Sequence, residues 1–157
     1  MAVQKTNAAR LLDVLAIEYT IHSVKVDESD LSAVSLAEAM GVPCEEVYKT
    51  LVVRGDKNGI FLACIMGADA LNLKKAAKVT GNKSVAMVPM KEVLPLTGYI
   101  RGGCSPVGTK KPYPVYVDES AILHERIYVS AGQRGMDLHL RPDDLLQAVN
   151  GQYAELV

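Results

Sequence analysis

Apolar residues at Ala8, Leu11, Leu12 and Leu15 recur at the period of a helix with one side on a core, and Asn7 stands where its cap belongs. Tyr19 to Val26 predicts a strand, followed by an acidic turn at Asp27-Glu28-Ser29-Asp30. Ser35 and Glu38 have the spacing of a capping box for a short helix that Gly41 stops. Pro43 through Tyr48 predicts one more helical turn, with Pro43 near its start. Two apolar runs follow, Thr50–Val53 and Ile60–Met66, separated by Gly55-Asp56-Lys57-Asn58-Gly59, a strong hairpin signal. Asn72 predicts the cap of a helix over Leu73–Val79 that ends at Gly81, and Ser84–Val88 a short strand. A helix from Pro89 to about Leu94 is next. Tyr113–Val117, Ile127–Ala131 and Met136–Leu140 predict strands, and Pro142 opens a last helix that Gly151 closes. Helices and strands interleave, but two hairpins interrupt the alternation of a parallel sheet. The expected fold is α/β of the α+β kind, a mixed curved sheet with helices around it.

The 157 residues suffice for one complete core and are too few for two ordinary domains. With no repeat, linker or low-complexity tract, residues 1–157 are expected to form a single domain. Hydrophobic residues at 49% and charged ones at 22% fit a globular protein. No apolar run has the length of a membrane span, and Met1-Ala2-Val3-Gln4-Lys5 leads into polar sequence unlike a signal peptide. Cys44, Cys64 and Cys104 are odd in number and widely spaced, which argues for a reducing compartment and against a disulfide framework or a structural zinc. The expected location is the cytoplasm.

Net charge is only −1, but it is unevenly spread. Between Lys74 and Lys111 eight lysines and arginines face one acid, Glu92, a net +7 that leaves −8 for the remainder. Such a division can turn a positive face to phosphate, or merely scatter solvated lysines over several faces. Within the window, Gly98 to Lys111 holds four glycines, Pro106 and three cations with no acid. Glycine lets a backbone approach a ligand closely, and successive N–H groups in turns form a nest for anionic or carbonyl oxygens. The alternative is an ordinary glycine-rich turn. Gly103 and Gly108 have the spacing of a phosphate loop, but Thr109-Lys110 reverses its required order, Pro106 deletes an N–H, and a strand follows instead of a helix. Those departures argue against a nucleotide triphosphatase, and no dinucleotide-binding G-x-G-x-x-G is present in the loop.

Lys49 begins a strongly apolar strand, where a lysine either snorkels to solvent or aims its charge into a cleft. Ser130-Ala131-Gly132-Gln133-Arg134-Gly135 adds a second glycine turn with a hydroxyl and a guanidinium, a pattern shared by ordinary hairpins. Cys104 invites a nucleophile reading with Arg101 nearby, but no histidine lies close in sequence. His22, His124 and His139 lack metal-ligand spacing, so no metal or other cofactor is expected.

Four segments in register, Val47-Tyr48-Lys49-Thr50-Leu51-Val52-Val53, Leu73-Lys74-Lys75-Ala76-Ala77-Lys78, the Gly98–Lys111 loop and Ile127–Gly135, resemble the YbaK-type aminoacyl-tRNA deacylases, free-standing relatives of the editing domain in bacterial prolyl-tRNA synthetases. The resemblance runs over almost the whole chain. It implies hydrolysis of the ester between a wrong amino acid and tRNA, with Cys-tRNA(Pro) the usual substrate of similar members and prolyl-tRNA synthetase a possible partner. The family's essential lysine falls on Lys49, which would hold the phosphate or ribose at the tRNA 3′ end. Its Gly-Gly-x-Ser-Pro loop falls on Gly102, Gly103, Cys104, Ser105 and Pro106, whose backbone would hold the aminoacyl group. Asp137 matches an acid found after the second glycine turn in some members, and His22 is counted with the substrate-binding positions. Lys74, Lys75, Lys78 and Arg101 would meet tRNA. Val24 departs from the tyrosine that several relatives carry in or near the pocket, which leaves selection of alanine or another small residue open. On the cysteine-editing branch the substrate's own thiol attacks the ester, and the protein positions it. Two rivals stand beside this reading: a non-catalytic tRNA- or nucleotide-binding module of the same fold, and a cysteine hydrolase acting through Cys104.

Overall fold

The computed structural model describes residues 5–26, 29–30 and 32–157. In chain order the elements are α1 (Asn7–Val14), β1 (Thr20–Ser23), α2 (Ala33–Met40), β2 (Tyr48–Gly55), β3 (Gly59–Met66), α3 (Leu73–Thr80), β4 (Val85–Met87), α4 (Met90–Thr97), β5 (Val115–Asp118), β6 (Ile127–Gln133), β7 (Met136–Leu140), α5 (Pro142–Val149) and β8 (Gln152–Ala154). The strands form a three-stranded sheet in the order β1-β7-β6 and a five-stranded mixed sheet in the order β4-β2-β3-β5-β8. Both expected hairpins, β2–β3 and β6–β7, are present and antiparallel, while β5 runs parallel to β3 and to β8.

Most boundaries follow local chemistry. Asn72 caps α3 by accepting from the amides of Lys74 and Lys75, and Gly41 and Gly81 close α2 and α3 in the left-handed conformation. Elsewhere the caps move. Thr6, not Asn7, caps α1, and Ser32 rather than Ser35 caps α2. The expected strand at Tyr19–Val26 is paired only over Thr20–Ser23. Of the acidic turn, Asp27 and Glu28 lie outside the described residues. α4 runs three residues past Leu94 because Pro95 removes only one N–H and keeps a helical φ; Gly98, at φ 82°, is the actual stop. Strand β8 escaped sequence reading: at three residues it is too short to show a period.

The two sheets close on a shared interior. Tyr48 and Val52 of β2, Leu62 and Cys64 of β3, Ile127, Val129 and Ala131 of β6, and Leu138 and Leu140 of β7 pack there with Ala8, Ala9 and Leu12 of α1. Alternate residues of the same hairpin face the other way. Val53, Phe61, Ala63 and Ile65 bury against Ala76 and Ala77 of α3. Farther along that second face, Val47 packs with Tyr128 and Ala37 of α2. Val47 also bridges Tyr128 in parallel, so the start of β2 joins the two sheets.

The far end of the β2–β3 hairpin is locked by Asn82. Its Oδ1 accepts from the amides of Lys57 (3.0 Å) and Asn58 (2.8 Å), and its Nδ2 donates to Thr80 Oγ1 at 2.7 Å. A Cβ on Gly55 would sit 2.2 Å from that side chain, so the strand must carry glycine there. Asn82→Ala leaves two turn amides without their acceptor and should lower unfolding free energy by about 2–3 kcal/mol. Urea titration of the variant checks it; a midpoint equal to wild type would contradict the role of this lock.

Candidate active site

The second face of β2 continues across the three-stranded sheet. His22 pairs with Asp137 across β1–β7, and Asp137 with Ser130 across β7–β6. The isolated parallel bridge between Val47 and Tyr128 sets the start of β2 against β6, and Lys49 lies two residues beyond it on the same face of β2. Three strands therefore present His22, Asp137 and Ser130 as one row on one face, and Lys49 stands on the face of β2 that continues it past the bridge. A second row, Thr20, His139 and Tyr128, supports it. The Tyr128 and His139 rings stack at 4.0 Å with 8° between planes, and His22 meets both edge-on at 5.2 and 5.4 Å. Thr20 Oγ1 lies 3.0 Å from His22 Nε2, which fixes the imidazole further.

Asp137 is the electrostatic centre of the row. It is buried, and among the described residues no donor or cation pairs with its carboxyl. Burial pushes its pKa up to about 7. Ser130 Oγ accepts from Gly132 N at 3.1 Å, so the hydroxyl is oriented by the turn that follows it. His139 is pushed down by burial and by the neighbouring His22, which favours its neutral form, and its buried Nε2 has no partner.

Two segments flank this face. α2 lies across Val47 and Tyr128 through Ala37 and Leu36. The other is the glycine loop, docked on the β6–β7 turn. Arg134 Nε donates to the Arg101 carbonyl at 2.8 Å, and a Cβ on Gly103 would come within 3.1 Å of the backbone of Gln133 and Arg134. Tyr99 lays its ring on Gly132 and donates to the carbonyls of Val107 (2.6 Å) and Gly108 (3.1 Å). At the β6–β7 turn, between α2 and the loop, is a cleft of about 140 Å³ lined by Lys25, Asp30, Ser32, Leu36, Gly102 and Arg134 among others, and by none of His22, Asp137, Ser130 and Lys49. Val24 stands at its edge, its amide bonded to the Gly135 carbonyl at 2.8 Å.

The loop residues divide their work. Cys104, Ser105, Pro106 and Val107 are buried. Ser105 Oγ accepts from the Val107 amide at 3.2 Å, and Gly103 N donates to Ile100 O at 3.0 Å. The amides of Gly102, Cys104 and Ser105 find no acceptor among the described residues. Gly102 has φ 82°, a conformation that favours glycine. Gly103 is small for another reason than ligand access: a side chain there would lift the loop off the β6–β7 turn. Cys104 is held as a thiol, its pKa pushed up to about 11 by burial, and Cys64 behind it is pushed up to about 12. That environment is the reverse of what activates a cysteine nucleophile.

The basic window does not form one patch. Cys104–Val107 plug the interior face of the β2–β3 hairpin, whereas α3 covers the face that carries Lys49. On α3, Lys75 Nζ is tied to Glu155 and to the Val157 carbonyl, each at 2.7 Å, while Lys74 and Lys78 are exposed. Arg101 is exposed at the loop's tip. No three His, Cys, Asp or Glu side chains converge as a metal site among the described residues. Ser130, Tyr128 and His139 were missing from the expected site. Their signal was the period of β6 and β7, which puts them on the face of Asp137 once the hairpin register is fixed.

The sequence profile of the aminoacyl-tRNA editing domain matches residues 28–148. A protein of Enterococcus faecalis, named as a candidate Cys-tRNA(Pro)/Cys-tRNA(Cys) deacylase, is 46% identical over 153 residues, 98% of this chain and 93% of that protein. The proline–tRNA ligase of Burkholderia orbicola is 31% identical over 110 residues, 68% of this chain and 19% of the ligase. A solved structure described as a candidate trans-editing enzyme for prolyl-tRNA synthetase superposes with a TM-score of 0.81 at 27% identity, covering 98% of each chain.

Asp137 makes a testable stability signature. Its pKa is 3.8 when free and about 7 when folded, so folding favours the protonated acid. This contribution is complete below pH 3.8 and is lost as pH rises through 7, on the order of 4 kcal/mol in all. Asp137→Asn should therefore be more stable than wild type at pH 8, with the advantage shrinking toward pH 4. Thermal unfolding at several pH values checks this, and a constant difference would refute the buried, unpaired carboxyl.

Proposed function

The chain belongs to the aminoacyl-tRNA editing domain family, and we propose that it acts in trans on Cys-tRNA(Pro), releasing the wrong amino acid. As an aminoacyl-tRNA deacylase it is a hydrolase that cleaves an ester. The observation that carries the substrate reading is the row of His22, Asp137 and Ser130 on the face that Lys49 continues, with the loop's cysteine, Cys104, buried and held as a thiol.

In this reading Lys49 meets the phosphate or ribose next to the ester, where one positive charge offsets the developing negative charge of the leaving oxygen. The Asp137 carboxyl receives the substrate's α-ammonium group; that cation supplies the missing partner and favours ionisation. The amides of Gly102, Cys104 and Ser105 take the carbonyl oxygen, and Ser130 and His22 confine the side chain. The substrate's sulphur adds to the ester carbon, the bond to the ribose oxygen breaks, and the thiol proton ends on that oxygen. Water then opens the resulting thiolactone to free cysteine. Lys74 and Lys78, on the face of Lys49, take phosphates farther from the ester, and Arg101 meets a nucleotide nearer to it. Residues 1–157 act as one editing unit. We assign it to the cytoplasm, which suits its three free cysteines, with prolyl-tRNA synthetase as working partner.

The deciding experiment incubates the pure protein with tRNA(Pro) charged with cysteine, alanine, serine or proline and counts released amino acid. Cysteine should be released and serine, its hydroxyl counterpart, retained; equal release of both would overturn the thiol mechanism. Lys49→Ala should lose on the order of 2–5 kcal/mol of transition-state stabilisation in kcat/KM while its circular dichroism stays that of wild type. Cys104→Ala should keep most activity. Abolished turnover in a folded Cys104→Ala protein would instead favour the cysteine hydrolase.

A further inference from the structure

Beyond the row and the cleft, the segment from β4 through α4 to the glycine loop leaves Met87, Met90, Leu94 and Ile100 exposed. Met90 and Leu94, 59% and 52% exposed, lie one turn apart on the outer side of α4, whose inner side packs Val93 and Leu96 into the interior. A surface helix ordinarily shows polar residues on that side. Cations surround these apolar side chains. Lys91 follows Met90, Arg101 rests Nη1 on the Met90 sulphur at 3.8 Å, and Lys110 is held at the end of the helix by its amide's bond to the Thr97 carbonyl. The one carboxylate of α4, Glu92, is occupied by Arg54 at 2.9 Å. Through Arg101 the surface continues directly into Gly102 and the cleft.

The surface joins a short apolar strip to cations that form no ion pair among the described residues and runs on through Arg101 to the cleft, which matches a strand that alternates bases with phosphates. A single strand of nucleic acid needs flat apolar or guanidinium surfaces for its bases and scattered cations for its phosphates. We infer that this surface holds the unpaired 3′-terminal nucleotides of tRNA on their way to the ester site. Bases lie on Met90, Leu94, Ile100 and the Arg101 guanidinium, and phosphates face Lys91 and Lys110. The inference rests on the deacylase reading above.

The test uses the double variant Met90→Ser, Leu94→Ser, two exposed positions that the fold does not need. Cys-tRNA(Pro) and a cysteinyl-adenosine ester, which lacks the preceding nucleotides, are assayed side by side. KM for the tRNA should rise about tenfold, with hydrolysis of the small ester unchanged. The salt dependence of tRNA affinity should also hold, because no phosphate contact is removed. Lys91→Gln with Lys110→Gln should instead flatten that dependence by about 0.7 per lysine in log K against log salt. Unchanged KM for tRNA, or equal losses on both substrates, overturns the inference. A loss seen only when prolyl-tRNA synthetase is added also overturns it and makes the surface a protein dock. Failure of the deacylase reading is distinct, since wild type would then leave both esters intact. In that event binding of uncharged tRNA still decides: trimming the unpaired 3′ nucleotides should weaken wild type and leave the double variant unaffected, and any other pattern overturns the inference.

Discussion

A strand has two faces, and β2 uses them for different purposes. Tyr48 and Val52 build the interior that both sheets share, and Tyr48 is anchored there by a 2.7 Å hydrogen bond to Ser120. Val47, Leu51 and Val53 build the opposite face, under α2 and α3. Lys49 falls between Val47 and Leu51 on that second face. Because side chains alternate strictly, a slip of one residue in the β2–β3 register would send its ammonium into the interior, against Cys64 and Cys104. The hairpin turn, the Asn82 lock and the bridge to Tyr128 all fix this register. The position of the lysine depends on them as much as on its own surroundings.

The same register governs Asp137. Its carboxyl is buried on the β6–β7 hairpin without a partner, at a cost that the rest of the fold must offset. The offset is visible on the other side of the same strands, where Leu138, Leu140, Val129 and Ile127 are completely buried. An isolated buried acid is a poor structural device and a good receptor for a cation. His22 stands directly opposite it in the sheet, and the Tyr128–His139 stack fills the neighbouring row on the same face. The cost of the buried charge is relieved by protonation, or by a ligand that brings a positive group.

Much of this was legible in the sequence, for reasons that differ by element. The β2–β3 hairpin could be read because Gly55 to Gly59 separates two long apolar runs, and α3 because Asn72 and Gly81 mark both ends. Lys49 and the glycine loop could be named from a family resemblance, not from periodicity. What could not be read was depth. Cys104, Ser105 and Pro106 look from the sequence like an exposed binding loop, yet their side chains plug the interior, and Arg101 and Gly102 remain at its open tip. The +7 window looked continuous because chain distance was the only ruler available. Folding puts α3 and the buried part of the loop on opposite faces of one hairpin. Ser130 went unassigned for the same reason: its neighbour Asp137 is seven residues away in sequence and directly opposite in the sheet.

A rigid loop limits how such a site can discriminate. Gly103 is pressed on the β6–β7 turn, Tyr99 holds two loop carbonyls, and Arg134 holds a third, so the wall cannot open or close much around ligands of different size. Size alone separates small side chains weakly, because one methylene in a pocket gives about 10–200-fold discrimination. Proline, alanine and cysteine differ by little more than that in volume. They differ absolutely in carrying a thiol. In the mechanism proposed above, Asp137 and the loop amides orient the ester, the substrate's thiol attacks it, and that chemical difference becomes the selectivity. Under the proposed mechanism, correctly charged Pro-tRNA(Pro) survives contact with the deacylase even where it fits, because proline carries no thiol to attack its own ester.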